Sequence, residues 1–161
     1  MKTFEHRVAW LAGLIDGDGC ISTYIENSRY VRQADGDTTQ SVRVALTVYN
    51  TNETILLEAM LVADAIGVEY DFKQLPRREA KHKPYFCVRF MGHKRVRKML
   101  EALLPFLVGK ATQAAIVLKV MNHCAGLRKS KGQYRMNPKD DQWLTQQLSE
   151  LSALNQRGVT V

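Results

Sequence analysis

Cysteine is scarce in this chain, acidic residues are outnumbered, and no apolar run is long. The three cysteines, Cys20, Cys87 and Cys124, are odd in number, widely spaced and match no zinc pattern. They read as reduced, mostly buried thiols rather than a disulfide framework. The four histidines, His6, His82, His93 and His123, are scattered and read as surface or packing residues. The apolar run over residues 8–15 is too short to span a membrane, and Asp16 closes it. No signal-peptide cleavage site accompanies it. These absences predict an intracellular protein with no membrane partner and no small-molecule cofactor. The acid deficit is 16 Asp and Glu against 23 Lys and Arg, a net charge of +7. That balance favours a polyanionic partner such as nucleic acid. At 161 residues the chain is expected to form one domain, residues 1–161, with a core able to fold unaided.

Periodicity supplies the elements. Residues 6–16 are apolar almost all round and predict a helix buried on more than one side. Gly13 and Gly17 lie four apart on one face of it. That face packs either inside the chain's own core or against a second copy. Residues 21–31 and 41–50 alternate and predict two strands of a long hairpin with its turn at residues 34–37. Ser22, Tyr24, Glu26, Ser28 and Tyr30 fall on the outward parity of the first strand, and Arg43 and Thr47 on that of the second. A helix capped by Thr51 or Asn52 is expected to run over Glu53–Ile66, with Leu56, Leu57, Met60 and Leu61 inward and Gly67 as its stop. Residues 69–75 and 85–91 predict a second hairpin, joined by a basic loop over residues 76–84. Helices follow over residues 93–104 and 112–124. A last helix opens at Asn137-Pro138, with Trp143, Leu144, Leu148, Leu151 and Leu154 as its apolar face. Two hairpins on one sheet, each followed by a helix, make an α+β domain with one open polar sheet face.

The chemistry concentrates at the end of the first helix, where the apolar run gives way to Asp16-Gly17-Asp18-Gly19. An unpaired buried carboxylate is expensive, so two at such a place point to a metal ion or a helix cap. The adjoining glycines allow close backbone approach and free carbonyls to act as ligands.

Residues 11–19 read LAGLIDGDG and occur once in the chain. They resemble, with one substitution, the motif that names the LAGLIDADG homing endonucleases. Ile66-Gly67-Val68 with Tyr70, Leu104-Pro105-Phe106-Leu107 and Ala153-Leu154-Asn155 resemble equivalent segments of the single-motif, chloroplast-intron type, and the likeness runs over essentially the whole chain. The resemblance implies an αββαββα fold. Its four-stranded antiparallel saddle sheet is covered by helices on one face and pairs as a homodimer through the motif helix, by Leu11, Gly13, Leu14, Asp16 and Gly17. It implies a site-specific DNA endonuclease that makes double-strand breaks in a long pseudo-palindromic site and leaves short 3′ overhangs. It implies Mg²⁺ as cofactor, with Mn²⁺ substituting and Ca²⁺ binding without supporting cleavage. Asp18 matches the metal-binding aspartate, and Gly17 the position whose carbonyl points at the metal. Asn50 matches a residue that orients the attacking water, and Lys110 a lysine near the scissile phosphate. Asp16 takes a structural role. Base contacts fall to the outward positions named above and to Phe72, Gln74 and Phe86, with Arg77, Arg78 and Lys81 as backbone holders. The implied setting is a mobile intron or similar element in an organelle, a phage or a bacterium. Glycine replaces alanine at Gly17, which keeps the carbonyl. Thr54 and Ile55 stand where some relatives carry a basic residue. The same fold also serves intron RNA maturases and non-cleaving DNA-binding proteins.

Overall fold

The structure, a computed structural model, describes residues 3–26, 30–76, 83–130 and 132–156. The motif segment forms α1, Phe4–Asp18, longer than the apolar run alone suggests because Thr3 caps it through His6 N–H (3.3 Å). β1, Gly19–Ile25, follows with no linker. That abrupt turn needs glycine: a Cβ at Gly19 would lie 2.6 Å from the Ile15 carbonyl oxygen and 2.8 Å from Ile15 Cα.

β1 pairs antiparallel with β4, Val42–Asn50, which pairs with β6, Tyr85–Met91, which pairs with β5, Asp71–Leu75. Ile21, Leu46 and Phe90 stand in one row and are wholly buried under the helices. Cys20, Thr47, Arg89 and Asp71 stand in the next row, on the opposite, open face.

The first hairpin is shorter than its alternation predicts. β1 stops at Ile25, and residues 31–40 leave the saddle for a second sheet. There β2, Val31–Arg32, and β3, Thr38–Gln40, join β7, Lys129–Ser130, and β8, Gln133–Met136, in the order β2-β3-β8-β7. The break falls at Gln40-Ser41, two buried polar residues that turn away from the saddle. Gln40 Nε2 donates to Asp141 Oδ1 (2.7 Å) and Thr38 Oγ1 (3.0 Å), and Ser41 Oγ to the Gly132 carbonyl (3.4 Å). Arg135 on β8 binds both Asp35 and Asp37 in the β2–β3 turn.

α2, Glu53–Ile66, has the predicted bounds: Asn52 caps Thr54 N–H (3.0 Å), and Gly67 ends it at φ 76°, where glycine alone is unstrained. Its inner face differs from expectation. Leu56, Ala59, Met60, Val62 and Ala63 are buried, whereas Leu57 and Leu61 are 47% and 54% exposed. α3, His93–Leu103, runs into a 3₁₀ turn at Leu104–Phe106. α4, Ala111–Ala125, and α5, Pro138–Asn155, complete the cover. Within α5, Leu144 and Leu151 are buried, Trp143 and Leu148 half-buried, and Leu154 is 43% exposed. The main core lies between the saddle and α1–α4, and a smaller one between β8, α4 and α5. Asn155 Nδ2 ties the far end of α5 to the Ile21 carbonyl (2.9 Å).

Candidate functional site

The end of α1 gathers the three residues singled out for chemistry. Asp18 is exposed, and its Oδ2 accepts the Asn50 Nδ2 amide at 3.0 Å. Asn50 closes β4, and its own Oδ1 accepts Asn52 N–H (2.8 Å), so the turn into α2 fixes the amide that fixes Asp18. One Asn50 N–H donor is thus used and a second remains on the same nitrogen. Lys110 arrives from the other side, as the N-cap position of α4. Its ammonium donates to the Asp16 main-chain carbonyl, a favourable place for a cation at a helix C-terminus.

Asp16 and Asp18 differ in every contact. Asp16 Oδ2 accepts Val108 N–H and Oδ1 accepts Lys110 N–H, both at 2.8 Å. Burial raises its pKa, but the amides of Val108, Gly109 and Lys110 and the Lys110 charge outweigh burial and hold it below the ordinary 3.8. Each Asp16 oxygen therefore accepts a backbone N–H, whereas Asp18 is exposed and accepts one side-chain amide. The donors at this end, the Asp18 carboxylate and the Gly17 carbonyl, are hard oxygens of the kind Mg²⁺ and Ca²⁺ accept. Among the described residues no group of three or more His, Cys, Asp or Glu forms a metal cage.

Gly13 and Gly17 are exposed, with nothing within 4 Å of an added Cβ, so the glycine face of α1 is bare. Leu14 and Asp16 are half-buried beside it. Leu11, expected at a dimer contact, is instead wholly buried in the chain's own core, on the opposite side of the helix.

The open sheet face starts from this helix end. Ser22, Tyr24, Arg43 and Thr47 share it, as their parity predicts. Thr47, however, is only 5% exposed, because β4 is central and neighbours on both sides cover it. Glu26 lies past the end of β1 and pairs with Arg43 (2.7 Å). Tyr30 is exposed beyond the strand. Ser28, Arg77, Arg78 and Lys81 lie outside the described residues. The second hairpin has the opposite parity to the one expected. Phe72, Gln74 and Phe86 stand in register with Val88, Val48 and Asn50, on the helix-covered side. Phe72 and Phe86 stack there with ring centroids 5.9 Å apart, and Phe72 and Gln74 stay solvent-accessible at the hairpin's projecting end. Asp71, Lys73 and Arg89 take the open face instead. Arg89 is the residue that parity counting missed. Its Nε is buried without a hydrogen-bond partner, and it is the lone charge in an otherwise uncharged strand, a signal visible in the sequence.

Comparison with known proteins places this arrangement. No protein-family model matches the chain. It is 34% identical over 117 residues to the DNA endonuclease I-CvuI of Chlorella vulgaris, covering 71% of this chain and 63% of that one. The aligned region therefore spans just under two thirds of that relative. The crystal structure of the homing endonuclease I-CvuI in complex with its target in the presence of calcium superposes with a TM-score of 0.64 at 24% identity, over 98% of this chain and 87% of that one. The archaeal intron-encoded homing endonuclease I-Vdi141I complexed with DNA superposes with a TM-score of 0.67 at 14% identity, over 97% and 88% of the two chains. Among the described residues no helix is long and apolar enough to cross a membrane. In the motif of its first helix, in the fold built on that helix and in a relative 34% identical over 71% of its length, the chain is similar to the LAGLIDADG homing endonucleases.

Proposed function

We propose that two copies of this chain form a divalent-cation-dependent, site-specific DNA endonuclease that cuts both strands of a near-palindromic site and leaves short 3′ overhangs. The observation that carries this reading is Asp18: an exposed carboxylate, oriented by Asn50, where the bare glycine face of α1 meets the open sheet face. One such carboxylate is a poor cation site alone. A two-fold axis along the glycine face brings a second Asp18 to the first and sets two open sheets side by side. That symmetry in turn implies a near-symmetric target.

Within the proposed dimer, Asp18 and the Gly17 carbonyl would hold Mg²⁺. When bound, the cation supplies an acidified water and neutralises charge on the scissile phosphate. Asn50 keeps the Asp18 carboxylate turned towards the DNA and has one amide hydrogen left to orient the attacking water. Lys110 sits one helix end away and stabilises the negative charge that develops on the phosphate oxygens. None of these residues has to be a strong base. Tyr24, Arg43, Lys73 and Arg89 line the face that meets DNA, with Arg89 suited to the paired acceptors of guanine. The exposed Leu57 and Leu61, with Val108 at 87% exposure, are apolar surface suited to the dimer contact. The protein works where it meets DNA, inside the cell.

Cleavage of a plasmid library of randomised near-palindromic sites tests this reading. Discrete cutting with Mg²⁺ that EDTA abolishes is the expected result. Binding without cutting, in a library deep enough to contain the site, overturns it and makes RNA the next ligand to try.

A further inference from the structure

The loop over residues 107–110 has one buried anchor and one exposed tip. Leu107 is 7% exposed and Val108 87%. Between the 3₁₀ turn and α4, the loop's polar attachment to α1 is Asp16: two backbone N–H groups bind its two carboxylate oxygens, and the Lys110 ammonium returns to its carbonyl. A Cβ on Gly109 would stand 3.6 Å from that carboxyl, so the loop lies directly against it. Lys110 has no side-chain cap on its own helix. Its main chain and its side chain are thus both held by one residue, two positions before Asp18.

We propose that Asp16 is a positioning residue for Lys110: its carboxylate seats the loop so that the ammonium stays on the Asp16 carbonyl, at the end of the motif helix that carries Asp18. This rests on the cleavage reading above. The alternative is that Asp16 only staples the loop for stability. The two differ in whether the effect of Asp16 passes through Lys110. If it does, loss of Asp16 lowers the rate of the chemical step and leaves DNA binding alone. Loss of Asp16 from a protein already lacking the Lys110 ammonium then costs little more.

The variant Asp16→Asn keeps one acceptor oxygen but sets an amide N–H against the other backbone donor. In the full-length dimer, single-turnover cleavage with Mg²⁺ is expected to fall by about 10- to 100-fold. Binding of the same DNA with Ca²⁺ as probe ion, elution volume and melting curve serve as controls. In the Lys110→Ala background the same substitution is expected to change cleavage less than about threefold, a coupling rather than a sum. An equal fold-loss in both backgrounds, or a loss confined to DNA binding, overturns the proposal. Should Asp16→Asn fail to fold, Val108→Pro removes one of the two donors without touching α1. Leu107 already has the extended backbone (φ −72°, ψ 133°) that precedes proline comfortably. Amide exchange at Val108 and Lys110 reads the anchoring without any cleavage. Protection in the wild type that Asp16→Asn loses is the expected result, and unchanged protection overturns the proposal. Absence of cleavage by the wild type defeats the endonuclease reading itself and is told apart by that exchange measurement.

Discussion

Two aspartates, Asp16 and Asp18, sit two residues apart on one helix, and their partners separate their work. A backbone N–H binds each oxygen of Asp16, whereas Asp18 meets one side-chain amide and solvent. The motif pointed to this helix end but did not show this division, because the donors to Asp16 come from residues 108 and 110, far along the chain. Arg89 makes the same point on the sheet: its unpartnered, buried Nε marks it as a group waiting for an acceptor. Arg89→Ala is expected to relax discrimination at one base pair per half-site by about 1–3 kcal/mol while leaving overall affinity at other sites little changed. Cleavage profiling of single-base variants of the recovered target checks it, and a uniform loss across all variants would make Arg89 a phosphate contact instead. The thiols divide by burial. Burial pushes Cys87 up and Cys124 up to about 11, so neither is a thiolate near neutral pH. Alkylation of the native protein at about pH 8 should therefore label Cys20, the half-buried thiol, ahead of the other two. Peptide mass analysis after limited reaction would show it, and early labelling of Cys124 would mean that the small core opens.

Elements were legible wherever a local signal was complete. α2 had a cap at Asn52, a stop at Gly67 and an apolar period, and its bounds fell where those signals stood. The junction of α1 and β1 was legible as a motif, and Gly19 explains why it tolerates so little. Ala at this position brings a Cβ against backbone atoms of Ile15, which no rotamer change relieves. Gly19→Ala is expected to cost about 1–3 kcal/mol, seen as a lowered melting temperature. An unchanged melting temperature would mean that the end of α1 frays in solution. The second sheet was not legible. Its strands are two to four residues long, too short to show a period, and Thr38 pairs with Met136 from the far end of the chain. The same brevity explains the early end of β1. Parity of the second hairpin failed for another reason: β6 is apolar at nearly every position, so alternation carries no sign of which face is open. Leu57 and Leu61 misled similarly, since α2 is apolar on two sides and the sequence does not say which one meets its own core.

At the scale of the whole molecule those two leucines become informative. They lie on α2, which packs on α1, and the single chain leaves them in water, as it leaves the bare glycine face of α1. The account gives both to a second copy. Replacing Leu57 and Leu61 together with Glu is expected to shift the protein from dimer to monomer on a sizing column, with the fold kept. Each side chain carries about 1.5–3 kcal/mol when buried. A wild-type protein that elutes as a monomer at micromolar concentration would count against it. The net charge of +7 adds a sequence-independent attraction to DNA that weakens as salt rises.

The central claim is that each copy contributes one Asp18 to a shared centre that cuts both strands. Mixed dimers, purified by two different tags with one protomer wild type and the other Asp18→Asn, test it most directly on the recovered target with Mg²⁺. The account predicts that they lose double-strand cleavage while still binding the DNA, and that the Asp18→Asn homodimer neither cuts nor nicks. Double-strand cleavage by the mixed dimer at the wild-type rate would contradict it.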